Sequence, residues 1–124
     1  MLKILVVDDE PMICEEFKDI LQDEGHEVDT ALNGIEAIRK VQEKEYELVF
    51  LDVLMPKMEG SEALVEIKKL TQTPVVVMSG YLAADMEVEV RRAGAYACLR
   101  KPFKIKEIQN IIIRIEQEKS GKNK

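Results

Sequence analysis

The chain has 124 residues, 46% of them hydrophobic and 34% charged, and its formal net charge at pH 7 is −6. This length and apolar content fit one domain with a single core. The acidic balance argues against direct nucleic-acid binding, which depends on neutralising phosphates with Lys and Arg. Two cysteines make neither a disulfide framework nor a metal cluster. No stretch approaches the roughly 20 apolar residues of a membrane span, and no signal peptide is recognisable. We therefore expect a cytoplasmic protein without a membrane contact.

Short runs rich in β-branched residues alternate along the chain with longer amphipathic segments. The predicted strands are Leu2–Val7, Glu27–Ala31, Leu48–Leu51, Pro74–Met78 and Ala97–Leu99. Helices are predicted where apolar residues recur at helical spacing, in stripes that span Ile13–Leu21, Ile35–Val41, Ala63–Leu70 and Ile105–Ile115.

The segment before the fifth strand is ambiguous. Met86, Val88 and Val90 alternate with acids as in a strand, whereas Met86, Val90 and Ala93 share a helical stripe. A helix is preferred, because Gly94 then ends it and the alternation of strands and helices stays unbroken.

Five such units predict a single α/β domain with a doubly wound, parallel five-stranded sheet covered by helices on both faces. The pattern does not fix the strand order. The flavodoxin-like order 2-1-3-4-5 is the most frequent for this sheet, and it places a switch point between strands 1 and 3. We assign the domain to residues 1–118 and predict a flexible basic tail at 119–124, where three Lys and no acid occur.

Polar residues follow four of the five predicted strands. Asp8 and Asp9 follow the first strand and Asp52 the third. Ser79 follows the fourth strand, and Lys101 comes just after the fifth. Ligands of open α/β sheets bind outside the carboxyl ends of the strands, next to a switch point, so we expect these side chains to converge there.

Three carboxylates in one pocket predict a bound cation. Two unit charges about 5 Å apart repel by roughly 3 kcal/mol at an effective dielectric of about 20, and the single ammonium of Lys101 does not compensate for them. An all-oxygen site with few ligands favours Mg²⁺, with Mn²⁺ as an alternative. A carboxylate beside a cation, an ammonium and a hydroxyl is suited to phosphoryl transfer through an aspartyl phosphate.

Four segments resemble one protein family, in its order and at its spacing. They are LVVDDEP (Leu5–Pro11), LVFLDVLMPKMEG (Leu48–Gly60), PVVVMSG (Pro74–Gly80) and RKPF (Arg100–Phe103). Together they are similar to the receiver domain of bacterial two-component response regulators, and the similarity extends from about Lys3 to Ile115. The strand order 2-1-3-4-5 is also that of the chemotaxis receiver, so this part of the fold prediction rests on the resemblance.

The resemblance implies a role for each site residue. Asp52 would be the phosphoacceptor, and Ser79 and Lys101 would bind oxygens of the phosphoryl group. The peptide bond before Pro102 would be cis.

The resemblance also implies a magnesium site next to Asp52. Asp9 would bind the ion directly and Asp8 mainly through a water molecule. Asp52 and the backbone carbonyl of Leu54 would complete the protein ligands.

The same resemblance implies two kinds of partner. A sensor histidine kinase or a histidine phosphotransfer protein would donate the phosphoryl group, and a downstream protein or a second copy would bind the face formed by the fourth helix, fifth strand and fifth helix. Val88 and Ile113 are expected to be exposed on that face. The domain would turn over no external substrate and so would not be an enzyme.

One position departs from the family. Many receivers carry an aromatic residue three places before the Lys, where this chain has Cys98. Whether Tyr96 replaces that ring is left open.

Other interpretations remain for the same residues. Asp9 or Glu10 can cap the first helix ahead of Pro11, and His26 is expected at the surface. A phosphohydrolase with an Asp nucleophile is one alternative function, but the second acid that such enzymes carry two residues on is Leu54 here. A pseudo-receiver that is never phosphorylated is another, although such domains usually lack an acid or the Lys.

Overall fold

The computed structural model of the protein describes residues 1–53, 60–80 and 84–121. Its strands are β1 (Lys3–Val7), β2 (Glu27–Ala31), β3 (Leu48–Asp52), β4 (Val75–Ser79) and β5 (Ala97–Arg100). Its helices are α1 (Pro11–Asp23), α2 (Gly34–Glu43), α3 (Gly60–Leu70), α4 (Ala84–Arg92) and α5 (Ile105–Gly121). The strands form one parallel sheet in the order β2-β1-β3-β4-β5. The predicted fold class and strand order are therefore confirmed.

Side chains of the central strands alternate between two cores, one on each face of the sheet. In β1, Ile4 and Val6 join the core that α1 and α5 cover, whereas Leu5 and Val7 join the core under α2, α3 and α4. All four side chains are fully buried. Burial on both faces explains why these strands read as continuous apolar runs instead of alternating ones.

Three residues at the ends of predicted apolar stripes are exposed instead of buried. Ile35 is 53% exposed, Leu70 46% and Ile105 53%. Each lies in the first or last turn of its helix, where the helix extends beyond the sheet on which its middle packs. The stripes were therefore predicted too long at these ends.

The ambiguous fourth segment is a helix, α4, and Gly94 follows it with a φ of 108°, a left-handed conformation that glycine adopts without strain. Helix α5 continues to Gly121, three residues into the segment 119–124 predicted as a tail. Among the described residues, no helix combines the length and the apolar character that crossing a bilayer requires.

The prediction that His26 lies at the surface was wrong. Only 9% of His26 is exposed, and its Nδ1 accepts a hydrogen bond of 3.0 Å from the backbone N–H of Leu2. This hydrogen bond connects the start of β2 to the start of β1, at the amino end of the sheet and far from Asp8 and Asp52. This packing depends on a contact between distant parts of the chain, which the local sequence does not reveal.

Candidate functional site

The predicted site residues that the structure describes meet at the carboxyl end of the sheet. Asp8 follows β1, and its backbone N–H donates to Ala31 O at 3.1 Å. Asp52 and Ser79 are the last residues of the neighbouring strands β3 and β4. Lys101 follows β5 and donates its backbone N–H to Ser79 O at 2.8 Å. The peptide bond between Lys101 and Pro102 is cis, as the family resemblance implied.

The ammonium of Lys101 bridges two buried carboxylates. Its Nζ lies 2.7 Å from Asp8 Oδ2 and 3.1 Å from Asp52 Oδ2. The side chain of Asp8 is fully buried, that of Asp52 is 4% exposed and that of Lys101 is 15% exposed. Burial of Lys101 opposes its charge, but the contacts with Asp8 and Asp52 outweigh it and raise the pKa of the ammonium. Lys101 therefore stays protonated at neutral pH.

One oxygen of Asp8 has hydrogen-bonding capacity left over. Oδ1 accepts the backbone N–H of Glu10 at 2.9 Å. Oδ2 has no hydrogen bond to any described residue, although it forms the ion pair with Lys101. A carboxylate oxygen can accept more than one contact, so Oδ2 can accept a further ligand beside Lys101.

Glu10 belongs to the site, which the sequence did not predict. The carboxylate oxygens of Asp8, Asp9 and Glu10 lie within 4.8 Å of one another, and Glu10 Oε1 lies 3.7 Å from Nζ of Lys101. Glu10 occupies the N-cap position of α1, but its side chain makes no capping hydrogen bond. Among the described residues, three carboxylates, those of Asp8, Glu10 and Asp52, thus lie within 4 Å of the Lys101 ammonium, and Asp9 lies beside Asp8 and Glu10.

This donor set suits a hard divalent cation. Mg²⁺ prefers oxygen ligands and is usually held by one or two carboxylates. Asp8 and Asp9 supply such carboxylates, and Asp52 lies beside them across Lys101. Leu54, whose carbonyl was predicted as a ligand, lies outside the described residues.

Ser79 is fully buried at the same edge of the sheet. Its backbone carbonyl accepts the N–H of Lys101 and so connects the end of β4 to the residue that follows β5. A role for its hydroxyl in binding a phosphoryl oxygen stays a prediction.

The two cysteines are poor nucleophiles. Cys14 is buried beneath the site, with Sγ 3.5 Å from the backbone oxygen of Asp8. Burial, followed by the charge of Asp8, raises the pKa of its thiol to about 11. Burial also raises the pKa of Cys98.

Tyr96 lies on the other face of the sheet from Cys98. Its ring packs against the core under α1 and α5, and its hydroxyl donates to Glu118 Oε1 on α5 at 2.8 Å. Cys98 packs against the opposite core. Tyr96 is thus attached to α5 in this conformation.

Val88 on α4 is 50% exposed and Ile113 on α5 is 51% exposed. The expectation that both side chains are exposed is confirmed. Their use as a contact surface stays a prediction.

Comparison with known proteins gives one consistent result. The sequence model described as "Response regulator receiver domain" matches residues 4–113. The "Transcriptional regulatory protein CpxR homolog" of Haemophilus influenzae is 42% identical over 108 residues, which cover 87% of this chain and 47% of that protein. The transcriptional regulatory protein ZraR of Klebsiella oxytoca is 39% identical over 107 residues, or 86% of this chain and 24% of that protein. The chain thus spans from a quarter to a half of these curated relatives.

Solved structures agree over nearly the whole chain. A CheY-like receiver domain protein from Methanospirillum hungatei matches with a TM-score of 0.90 and 30% identity, covering 96% of this chain and 97% of that one. The response regulator TrrA from Thermotoga maritima, solved in complex with Mg²⁺–BeF, matches with a TM-score of 0.83 and 37% identity, covering 93% and 99%. Sequence, fold and the acidic pocket lead to the same conclusion: the chain belongs to the response regulator receiver domain family.

Proposed function

We propose that this receiver accepts a phosphoryl group on Asp52 from the phosphohistidine of a sensor kinase or of a phosphotransfer protein. The observation that carries the proposal is the contact of Lys101 Nζ with both buried carboxylates, Asp8 and Asp52, at 2.7 and 3.1 Å. A carboxylate held beside a fixed cation at the end of a central strand is suited to act as a nucleophile toward phosphorus.

Each side chain of the pocket has a separate role in the proposed transfer. Asp8 and Asp9 would hold Mg²⁺, with Mn²⁺ as an alternative, and an ion held there would supply positive charge for the oxygens of the transferring group. Lys101 remains protonated, since its pKa is raised, and pairs with one phosphoryl oxygen. Ser79 donates its hydroxyl to another. The Mg²⁺–BeF complex of the Thermotoga maritima relative supports this assignment.

The output is a conformational shift and not a chemical product. A phosphoryl dianion on Asp52 attracts Lys101 and Ser79, and a conformer that brings them closer gains population. Because the backbone joins Lys101 to β5 and to Ser79 on β4, the shift reaches the face formed by α4, β5 and α5. A downstream protein or a second copy binds there, with Val88 and Ile113 in contact. The chain turns over no external substrate, acts in the cytoplasm and makes no direct contact with nucleic acid.

The test is phosphorylation by a small donor. The full chain is incubated with acetyl phosphate and Mg²⁺, and its intact mass is followed with time. The wild type should gain one phosphoryl group, whereas Asp52→Asn should gain none and a chelator should abolish the gain. Asp23→Asn, a change in an exposed acid at the end of α1, is the matched control and should behave as the wild type. Equal phosphorylation of Asp52→Asn would overturn the proposal.

A further inference from the structure

We propose that Glu10 is an electrostatic filter at the mouth of the pocket, which makes free dianionic phosphodonors poor substrates compared with donors of lower net charge. The inference rests on the proposed phosphorylation of Asp52 and concerns which donors reach it. Glu10 acts as a specificity-determining residue and takes no part in bond formation.

The chain fixes Glu10 at this position. Pro11 restricts the residue before it to extended backbone, and Glu10 has φ −95° and ψ 109°. Its N–H is held by Asp8 Oδ1 at 2.9 Å. The side chain is not used in capping α1, and it is 64% exposed. Its carboxylate therefore stands at the rim of the pocket, where an incoming donor passes it.

The charges around Glu10 leave the pocket negative. Among the described residues of the pocket, the carboxylates of Asp8, Asp9, Glu10 and Asp52 contribute four formal negative charges and Lys101 contributes one positive charge. A divalent cation bound there would leave these groups with a net charge of about −1. Without the Glu10 carboxylate the sum is zero. Asp8 Oδ2, Asp52 Oδ2 and Glu10 Oε1 lie 2.7, 3.1 and 3.7 Å from the same ammonium, so three acids of the pocket share this one contact with Lys101.

One extra charge at the rim has a predictable effect on a charged reactant. A negative unit charge about 7 Å away lowers the local concentration of a dianionic donor about fivefold at low salt. Near 0.5 M salt, screening reduces this effect to below about twofold. For a donor with one net negative charge, the repulsion energy is half as large, so its local concentration changes about twofold at low salt. A phosphohistidine on a protein is less affected, since cationic groups of that protein can offset the repulsion by Glu10.

The reaction itself is the same for each donor. With acetyl phosphate, a carboxylate oxygen of Asp52 forms a bond to phosphorus, the bond from phosphorus to the acetyl oxygen breaks, and acetate leaves with the electron pair. With phosphoramidate, whose nitrogen is already protonated, the P–N bond breaks and ammonia leaves. Neither step needs a proton from Glu10, so its removal affects approach and not chemistry.

The test compares Glu10→Gln with the wild type for both donors. Phosphorylation rates are measured with two donors: acetyl phosphate, which is a dianion, and phosphoramidate, which has one net negative charge. Each rate is measured at low salt and at about 0.5 M salt, where the Debye length is about 4 Å. Each variant is saturated with Mg²⁺, and its affinity for the ion is measured separately by calorimetry. We expect Glu10→Gln to react about fivefold faster with acetyl phosphate at low salt and about twofold faster with phosphoramidate. Both gains should shrink at high salt.

Glu15→Gln is the matched control, because it removes one exposed acid from the same helix. It should change either rate by less than about 1.5-fold, as its charge is farther away and screened by water. Unchanged rates in Glu10→Gln, or a gain that is equal for both donors and insensitive to salt, would overturn the filter while leaving phosphorylation of Asp52 in place. Failure of the wild type to be phosphorylated by either donor would overturn the proposed function, and the filter with it.

Discussion

The half-buried acid Asp29 at one end of the sheet and the acids at the carboxyl end have opposite charge surroundings. At the amino end, Asp29 Oδ2 accepts the hydroxyl of Tyr46 at 2.7 Å and the ammonium of Lys44 at 3.1 Å. Burial of Asp29 opposes its ionisation, but these two hydrogen bonds outweigh it and lower the pKa of the carboxyl. The backbone oxygen of Tyr46 is bonded in turn to the hydroxyl of Thr73 at 2.7 Å. One acid has one cation, and the cluster connects β2 to the chain before β3 and β4.

At the carboxyl end, three acids of the described residues, Asp8, Glu10 and Asp52, share the ammonium of Lys101, and a fourth, Asp9, lies beside Asp8 and Glu10. Excess buried charge of one sign lowers stability unless a ligand neutralises it. The amino end therefore contributes to folding, whereas the carboxyl end keeps a deficit of positive charge that a cation and a phosphoryl group can use.

The largest effect should come from removing the ammonium of Lys101 at the carboxyl end. Lys101→Met takes away the ion-pair partner that the buried carboxylates of Asp8 and Asp52 share, and breaking a buried ion pair in this way costs about 3 kcal/mol of unfolding free energy. Urea denaturation without divalent metal measures it. Lys104→Met, in an exposed residue close by, should stay within about 0.5 kcal/mol of the wild type.

The same pair of proteins gives a pH test. Because the folded-state pKa of Lys101 is raised above the ordinary value of 10.5, its contribution is complete below that value and is lost as pH rises through the folded pKa. The stability difference between the wild type and Lys101→Met should therefore narrow only in strongly alkaline solution. A difference that disappears on going from pH 7 to pH 9 would contradict this assignment.

The second effect is stabilisation by Mg²⁺, which should act at the carboxyl end alone. At a concentration ten times its Kd, a ligand that binds only the folded state adds about 1.4 kcal/mol. Asp9→Asn should lose most of this gain, and Tyr46→Phe at the opposite end should keep all of it. An equal gain in Asp9→Asn would place the ion elsewhere.

The third effect concerns the amino end. Tyr46→Phe removes the hydrogen bond to Asp29 from a buried residue, and we expect a loss of about 1 kcal/mol. Because the pKa of Asp29 is lowered in the folded protein, its ionised carboxylate stabilises the fold at pH values above the ordinary pKa of 3.8. This stabilisation disappears as the pH falls through the folded-state pKa. The loss in Tyr46→Phe should therefore be larger at pH 7 than at pH 2. Phosphorylation by acetyl phosphate should be unchanged, and a slower rate would show that the two ends are coupled.

The smallest effect on stability is expected on the presumed partner face. Val88 and Ile113 are half exposed, so changing both to Ser should alter the unfolding free energy by less than about 0.5 kcal/mol each. Sedimentation before and after phosphorylation should show weaker self-association or partner binding, with phosphorylation intact. A large loss of stability would assign both residues to the core instead.

The sequence predicted this fold because its signals were local or periodic. Strands such as β3 are buried on both faces and read as short apolar runs, and residues that end parallel strands necessarily share one edge of the sheet. This argument placed Asp8, Asp52 and Lys101 together before their distances were known.

The errors arose where tertiary contacts decided the outcome. Glu10 was interpreted as a possible cap, because its sequence position before Pro11 fits that role equally well. Its contact with Lys101 depends on a residue far along the chain. Burial of His26 depends on its hydrogen bond with the backbone N–H of Leu2. Exposure of Ile35 depends on the position of the edge of the sheet. None of these is encoded in a spacing pattern.

The most direct test of the central claim locates the phosphoryl group on the chain. Wild-type protein is phosphorylated with acetyl phosphate and Mg²⁺ and then treated with borohydride, which reduces an aspartyl phosphate to homoserine, and the peptides are sequenced by mass spectrometry. The account predicts homoserine at position 52 and nowhere else. Homoserine at position 8 or 9, or a stable phosphate on a hydroxyl side chain with Asp52 unchanged, would contradict it.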